Sequence, residues 1–180
     1  MRVFVCAGMG IAKNQKINDE AKNLGKLLAE NDCTYIQGGS DEGLMGETLR
    51  EFIKYSKKVE FVIPERFCEF DIPRLEKIMG DKALKVQVVQ AETDRLNIIK
   101  RCDKVIVLPG GSGTLEEFLY SNETARSKEH SNKVILVNIE GYFNDLLAQI
   151  DKAIKEGISK DSTKNFEVVN SVSEIDLFEE

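Results

Sequence analysis

Hydrophobic and polar positions along the chain alternate between two rhythms. Short runs rich in β-branched residues cover 2–7, 33–37, 58–63, 84–89, 104–108, 134–137 and 166–169, and these predict strands. Longer stretches with helical spacing lie between them. In 18–31, with Ile17 just before it, apolar or small residues recur at Ile17, Ala21, Leu24, Leu27 and Leu28, one face of a helix. Similar spacing predicts helices over 44–55, 92–101, 113–128 and 142–156, the last stopped at Gly157, with a terminal helix over 173–179. The segment 65–82 breaks the rhythm. Pro73 and Gly80 act as breakers there, so it reads as an irregular connection with room for one short helix. It nevertheless carries Phe67, Phe70, Ile72, Leu75, Ile78 and Met79. That much apolar surface suits a cover for a pocket, a partner contact, or a loop packed on its own core.

The β–α alternation predicts an α/β fold: a doubly wound, mostly parallel sheet with helices on both faces, as one domain over residues 1–180. No internal repeat, low-complexity tract or linker interrupts it. In such folds ligands sit beyond the carboxyl ends of the strands. Two glycine-rich loops fall at such ends.

The first loop follows the strand at 33–37 and contains Gly38, Gly39 and Gly43. It allows either a tight structural turn or close approach to a ligand before a helix N-terminus. The second, Pro109-Gly110-Gly111-Ser112-Gly113-Thr114, follows a buried strand and opens a helix. Its glycines clear side chains from the ligand side, Ser112 and Thr114 add hydroxyls, and helical N–H groups converge on one point, which suits a phosphate. No Lys follows the last glycine, so this is not the loop of nucleoside triphosphatases, and the spacing is not that of a dinucleotide fingerprint. Glu116 and Glu117 follow at once and are expected in the first helical turn. Acidic residues there stabilise the helix dipole. A carboxylate held near a bound phosphate also suits a ribose C1′ that becomes positive, as in N-glycosidic cleavage. Arg95 is placed either to pair with a phosphate or carboxylate or to stand exposed on its helix.

Composition narrows the partners. The chain has 180 residues and a net charge of −6, without a basic tract, which argues against nucleic acid. No apolar run reaches the ~18 residues of a membrane span, and the N-terminus is too short for a signal segment. Cys6, Cys33, Cys68 and Cys102 lie far apart and are expected to be free thiols in a reducing, cytoplasmic compartment. With His130 as the single histidine, no His-based zinc site is expected. Nothing singles out a Schiff-base lysine for pyridoxal chemistry.

Gly38-Gly39-Ser40-Asp41-Glu42-Gly43-Leu44-Met45-Gly46 resembles the GGGxxGLMG motif of the LOG ("Lonely Guy") family, and Pro109 to Glu117 resembles its PGGxGTxxE motif. The run from Gly141 to Leu147 and on through Ala153 is similar to a later helix of that family. The resemblance covers nearly the whole chain. It implies a modified Rossmann fold, a homodimer with the site near the interface, and phosphoribohydrolase activity without metal or cofactor. A nucleoside 5′-monophosphate, of the cytokinin riboside type, AMP or a related nucleotide, would be cleaved to free base and ribose 5-phosphate. By motif, Glu117 takes the place of the catalytic glutamate, and Gly110, Gly111, Ser112, Gly113 and Thr114 take the phosphate-binding places. The family's upstream Arg-Lys pair falls on Asp94 and Arg95, so the functional cation is assigned to Arg95, with Lys100 as the alternative. Glu92 and Asp94 become candidates for ribose or base contacts. Ser40 replaces a glycine, Ser112 stands where Tyr is common, and Glu123, with Thr124 next to it, stands where a Thr is usual. These departures fall where base and phosphate contacts belong. They keep a second possibility open: a non-catalytic binder or carrier of a nucleotide or phosphorylated cofactor.

Overall fold

The computed structural model describes residues 1–80, 84–127, 129 and 132–179. Seven strands form one sheet: β1 (Arg2–Cys6), β2 (Thr34–Gln37), β3 (Val59–Pro64), β4 (Val86–Val89), β5 (Lys104–Val107), β6 (Lys133–Val137) and β7 (Phe166–Val169), in the order β4-β3-β2-β1-β5-β6-β7. Every pairing is parallel, with Cys6 opposite Val107 and Phe4 opposite Ile36. The mostly parallel sheet expected from the pattern is therefore wholly parallel. The chain winds outward from β1 to β4, then returns to β5 on the other side of β1. This reversal is the switch point at which doubly wound sheets open a crevice.

Among the described residues, six α-helices cover both faces: α1 (Gln15–Glu30), α2 (Gly43–Phe52), α3 (Cys68–Met79), α4 (Glu92–Ile99), α5 (Ser112–Arg126) and α6 (Asn144–Lys155). Alternate strand residues feed two separate cores, because successive side chains point to opposite faces. Val3 and Val5 join Leu24, Leu28, Leu49 and Leu75 on the face covered by α1, α2 and α3. Phe4 and Cys6 join Leu96, Ile99 and Phe118 on the face of α4 and α5, with Phe143 at the entry to α6.

Two expectations fail. The segment after β3 is not irregular: a 3-10 turn (Glu65–Phe67) leads into α3, which continues through Pro73 to Gly80 at φ 58°. Proline removes one helical hydrogen bond, but Leu75 and Met79 are buried on the helix and anchor it. The terminal helix over 173–179 reduces to a 3-10 turn at Val172–Glu174, because Ile175 takes extended backbone angles. No helix among the described residues is long and apolar enough to cross a membrane. Cys6, Cys33 and Cys102 are buried and free, and Cys68 is free and half-buried. His130 lies outside the described residues.

Candidate active site

Three strand ends and the loops after them interlock at the switch point. The N–H of Gly8, beyond β1, donates to the Pro109 carbonyl at 3.0 Å, and Gly8 O accepts the N–H of Met45 in α2. Gly43 holds φ at 56°, and a Cβ there would stand 2.1 Å from the Met9 carbonyl carbon. Only glycine permits both the backbone angle and this approach. On the β5 side, Thr114 closes over Gly110, and the Tyr142 hydroxyl donates to Gly110 O at 2.9 Å.

A cavity of about 440 Å³ opens above these loops. On one side it is bounded by Gly111, Ser112, Gly113 and Thr114 at the start of α5. Among the described residues no side chain caps this helix. A Cβ at Gly111 or Gly113 would touch nothing within 4 Å, so no side chain crowds the start of α5 where it borders the cavity. Such a terminus, with its positive dipole end, fits a phosphate-sized anion.

Arg95 and Glu117 line the cavity beside this cradle. Glu117 is only 4% exposed, and its Oε1 lies 3.2 Å from Arg95 Nη2. The Arg95 side chain is 17% exposed and crosses Gly38, whose missing Cβ would stand 3.1 Å from Nη1. Arg95 Nε makes no hydrogen bond among the described residues. Burial drives the Glu117 pKa up, while the Arg95 charge and a hydrogen bond from the Cys6 thiol draw it back. The Cys6 thiol, wholly buried at the end of β1, is itself pushed well up, by burial first and then by the Glu117 charge. The arrangement is a desolvated carboxylate held by one guanidinium and one thiol, next to an anion cradle.

A family model described as "Possible lysine decarboxylase" matches residues 45–176. The chain is 34% identical over 169 residues to the probable cytokinin riboside 5′-monophosphate phosphoribohydrolase LOGL2 of Oryza sativa subsp. japonica, covering 93% of this chain and 67% of that protein. It is 35% identical over 157 residues to cytokinin riboside 5′-monophosphate phosphoribohydrolase LOG1 of Arabidopsis thaliana, covering 87% of this chain and 71% of the relative. This chain belongs to the LOG family. Across these two relatives it spans about two thirds to seven tenths of their length. The Moco carrier protein from Chlamydomonas reinhardtii shares the fold, with a TM-score of 0.63 at 18% identity, over 96% of this chain and 90% of that one.

In this LOG chain the predicted residues divide. Gly38, Gly111, Ser112, Gly113, Thr114, Arg95 and Glu117 meet at the cavity. Gly39 and Gly43 instead shape the first loop from behind, against Ile63 and Met9, and Gly110 packs under Thr114. The Asp94 carboxylate accepts the Ala91 N–H at 3.0 Å and closes the start of α4, outside the cavity lining. Glu116 is exposed and away from the cavity. Because α5 begins at Ser112, Glu116 and Glu117 fall past its first turn, which contains no acidic residue. Dipole stabilisation therefore does not account for Glu117. Lys100 pairs with Glu129, and Glu123 with Arg126, both away from the cavity. The Thr124 hydroxyl donates to Tyr120 O within its own helix. The side chain of Glu92 lies outside the described part of the structure.

Phe67 belongs to the apolar segment expected as a possible pocket cover, whereas Cys6, Asp71 and Arg74 carry no such signal in the sequence. The sequence marks Cys6 only as one of four free thiols. Phe67, Asp71 and Arg74, after β3, also line the cavity. Their i, i+4, i+7 spacing marks one helical face, a signal hidden by treating Pro73 as a breaker.

Proposed function

We propose that this chain hydrolyses the N-glycosidic bond of a nucleoside 5′-monophosphate, releasing free base and ribose 5-phosphate. The buried Glu117–Arg95 pair beside an uncapped, glycine-lined helix start carries this reading. The names of the relatives support the same reaction class. The 5′-phosphate rests on the N–H groups of residues 111–114. That anchoring brings C1′ toward Glu117. As the C1′–N bond breaks, the base leaves with the bonding pair and the ribose carries positive charge. An ionised carboxylate in a poorly hydrated setting stabilises that charge strongly, or accepts C1′ transiently. Water then supplies hydroxide to C1′ and a proton to the base. Arg95 keeps Glu117 ionised and fixes its direction. A cytoplasmic homodimer fits the family resemblance, and sedimentation velocity tests the assembly. In that assembly Phe70, 68% exposed on α3, is the candidate contact.

Incubation with AMP, CMP and isopentenyl-AMP, followed by assay of free base, tests the activity. Base is expected from at least one nucleotide. A broad panel releasing none overturns the reading; a nucleotide that raises Tm yet stays intact would mark a carrier instead. Glu117→Gln is expected to retain nucleotide binding and lose at least ~10²-fold in kcat.

A further inference from the structure

We propose that Phe67 and Asp71 form the base-recognition end of the cavity, and that it selects an unmodified nucleobase with an exocyclic amino group over a prenylated one. This inference rests on the phosphoribohydrolase reading above. The strand order sets the direction of the substrate. The cradle follows β5, Glu117 touches Cys6 on β1, Arg95 crosses Gly38 beyond β2, and Phe67 and Asp71 follow β3. From β5 to β3 is three strand spacings, roughly 14 Å. Phosphate at one end and C1′ over the middle leave the base directed at the α3 wall.

That wall offers a ring and an unused acceptor. Phe67 lines the cavity and is 37% exposed, so part of its ring is open to stacking, and Arg66 lies over it with Cζ 4.6 Å from the centroid. The Arg74 guanidinium, one helical turn beyond Asp71, reaches Asp41 Oδ1 at 2.7 Å and also pairs with Glu42. Asp71 itself makes no hydrogen bond or ion pair in the described structure, though it lines the cavity. Partial burial raises its pKa, which marks a carboxylate poorly served by water. An amino group donating from the base supplies the missing partner. An isoprenoid chain on that nitrogen leaves a single N–H to donate and presses apolar carbons against Asp71 and the Arg74–Asp41–Glu42 group, stripping water from charges without replacing it.

Steady-state kcat/KM for AMP, isopentenyl-AMP and purine riboside 5′-monophosphate, which lacks the amino group, tests the assignment. AMP is expected to exceed both by roughly 10- to 100-fold, the scale of one hydrogen bond to a charged acceptor. Asp71→Ala should bring the three within about 3-fold of one another, mainly by slowing AMP. Phe67→Ala should raise KM for all three and leave their ratios unchanged. Equal turnover of AMP and isopentenyl-AMP by the native chain, or ratios unmoved in Asp71→Ala, overturns this inference and leaves the hydrolase reading standing. Release of no base from any nucleotide overturns both.

Discussion

The carboxylate of Glu117 feels two opposed influences, and their balance is measurable. Burial favours the neutral acid, whereas Arg95 and the Cys6 thiol favour the anion. Burial is the larger, so the group titrates above the ordinary glutamate value of 4.5. If turnover needs the anion, activity falls as pH drops through this raised value, and the acidic limb of the kcat/KM profile, which reports the free enzyme, lies above the ordinary glutamate value. Arg95→Ala should move that limb further up, since the removed charge held the pKa down. Cys6→Ala should move it in the same direction by less, with Cys6→Ser restoring it by supplying another donor. A limb unmoved in Arg95→Ala would refute this account. The sign carries over to stability. A raised carboxylate pKa contributes stability below its unfolded value and loses it as pH rises through the folded one, so this site favours the fold most in acid.

At the scale of elements, glycines with equal freedom in sequence terms have different duties. Gly43→Ala places a methyl against the Met9 backbone at a φ of 56°. It should destabilise the protein by about 2 kcal/mol or more and lower Tm by roughly 4–8 °C. Gly111→Ala meets open space at an ordinary φ of −90°, so Tm should hold while KM rises, because the methyl enters the anion cradle. Calorimetry and initial rates separate the two. The strands were legible in the sequence because buried parallel strands are written as short β-branched blocks, as at Lys104–Val107 and Lys133–Val137. The cradle was legible because its chemistry is local and its residues are contiguous. The α3 wall was not, because a local rule about proline was outweighed by burial of Leu75 and Met79, which depends on residues distant in sequence. The pairing of Arg95 with Glu117 was equally hidden. Twenty-two positions of chain separate them, and only the return from β4 to β5 brings α4 alongside α5.

Across the whole molecule, the site sits over a division. The cradle and the Glu117–Arg95 pair stand on α4 and α5, which rest on one hydrophobic core, while Phe67 and Asp71 belong to the α3 side, which rests on the other. The two cores share only the sheet between them. A nucleotide lying from the cradle to the α3 wall therefore acts as a clasp across the rim of the sheet. It ties together two layers that otherwise loosen independently. In Glu117→Gln with saturating AMP, amide exchange should slow in α3 and α5 together, although no residue of one helix need touch the other. Protection confined to α5 would mean the ligand grips one layer only. In the unliganded protein α3, crossed by Pro73, is held on its side of the sheet by Leu75 and Met79 without that clasp. Substrate binding is thereby coupled to how α3 packs on its own core.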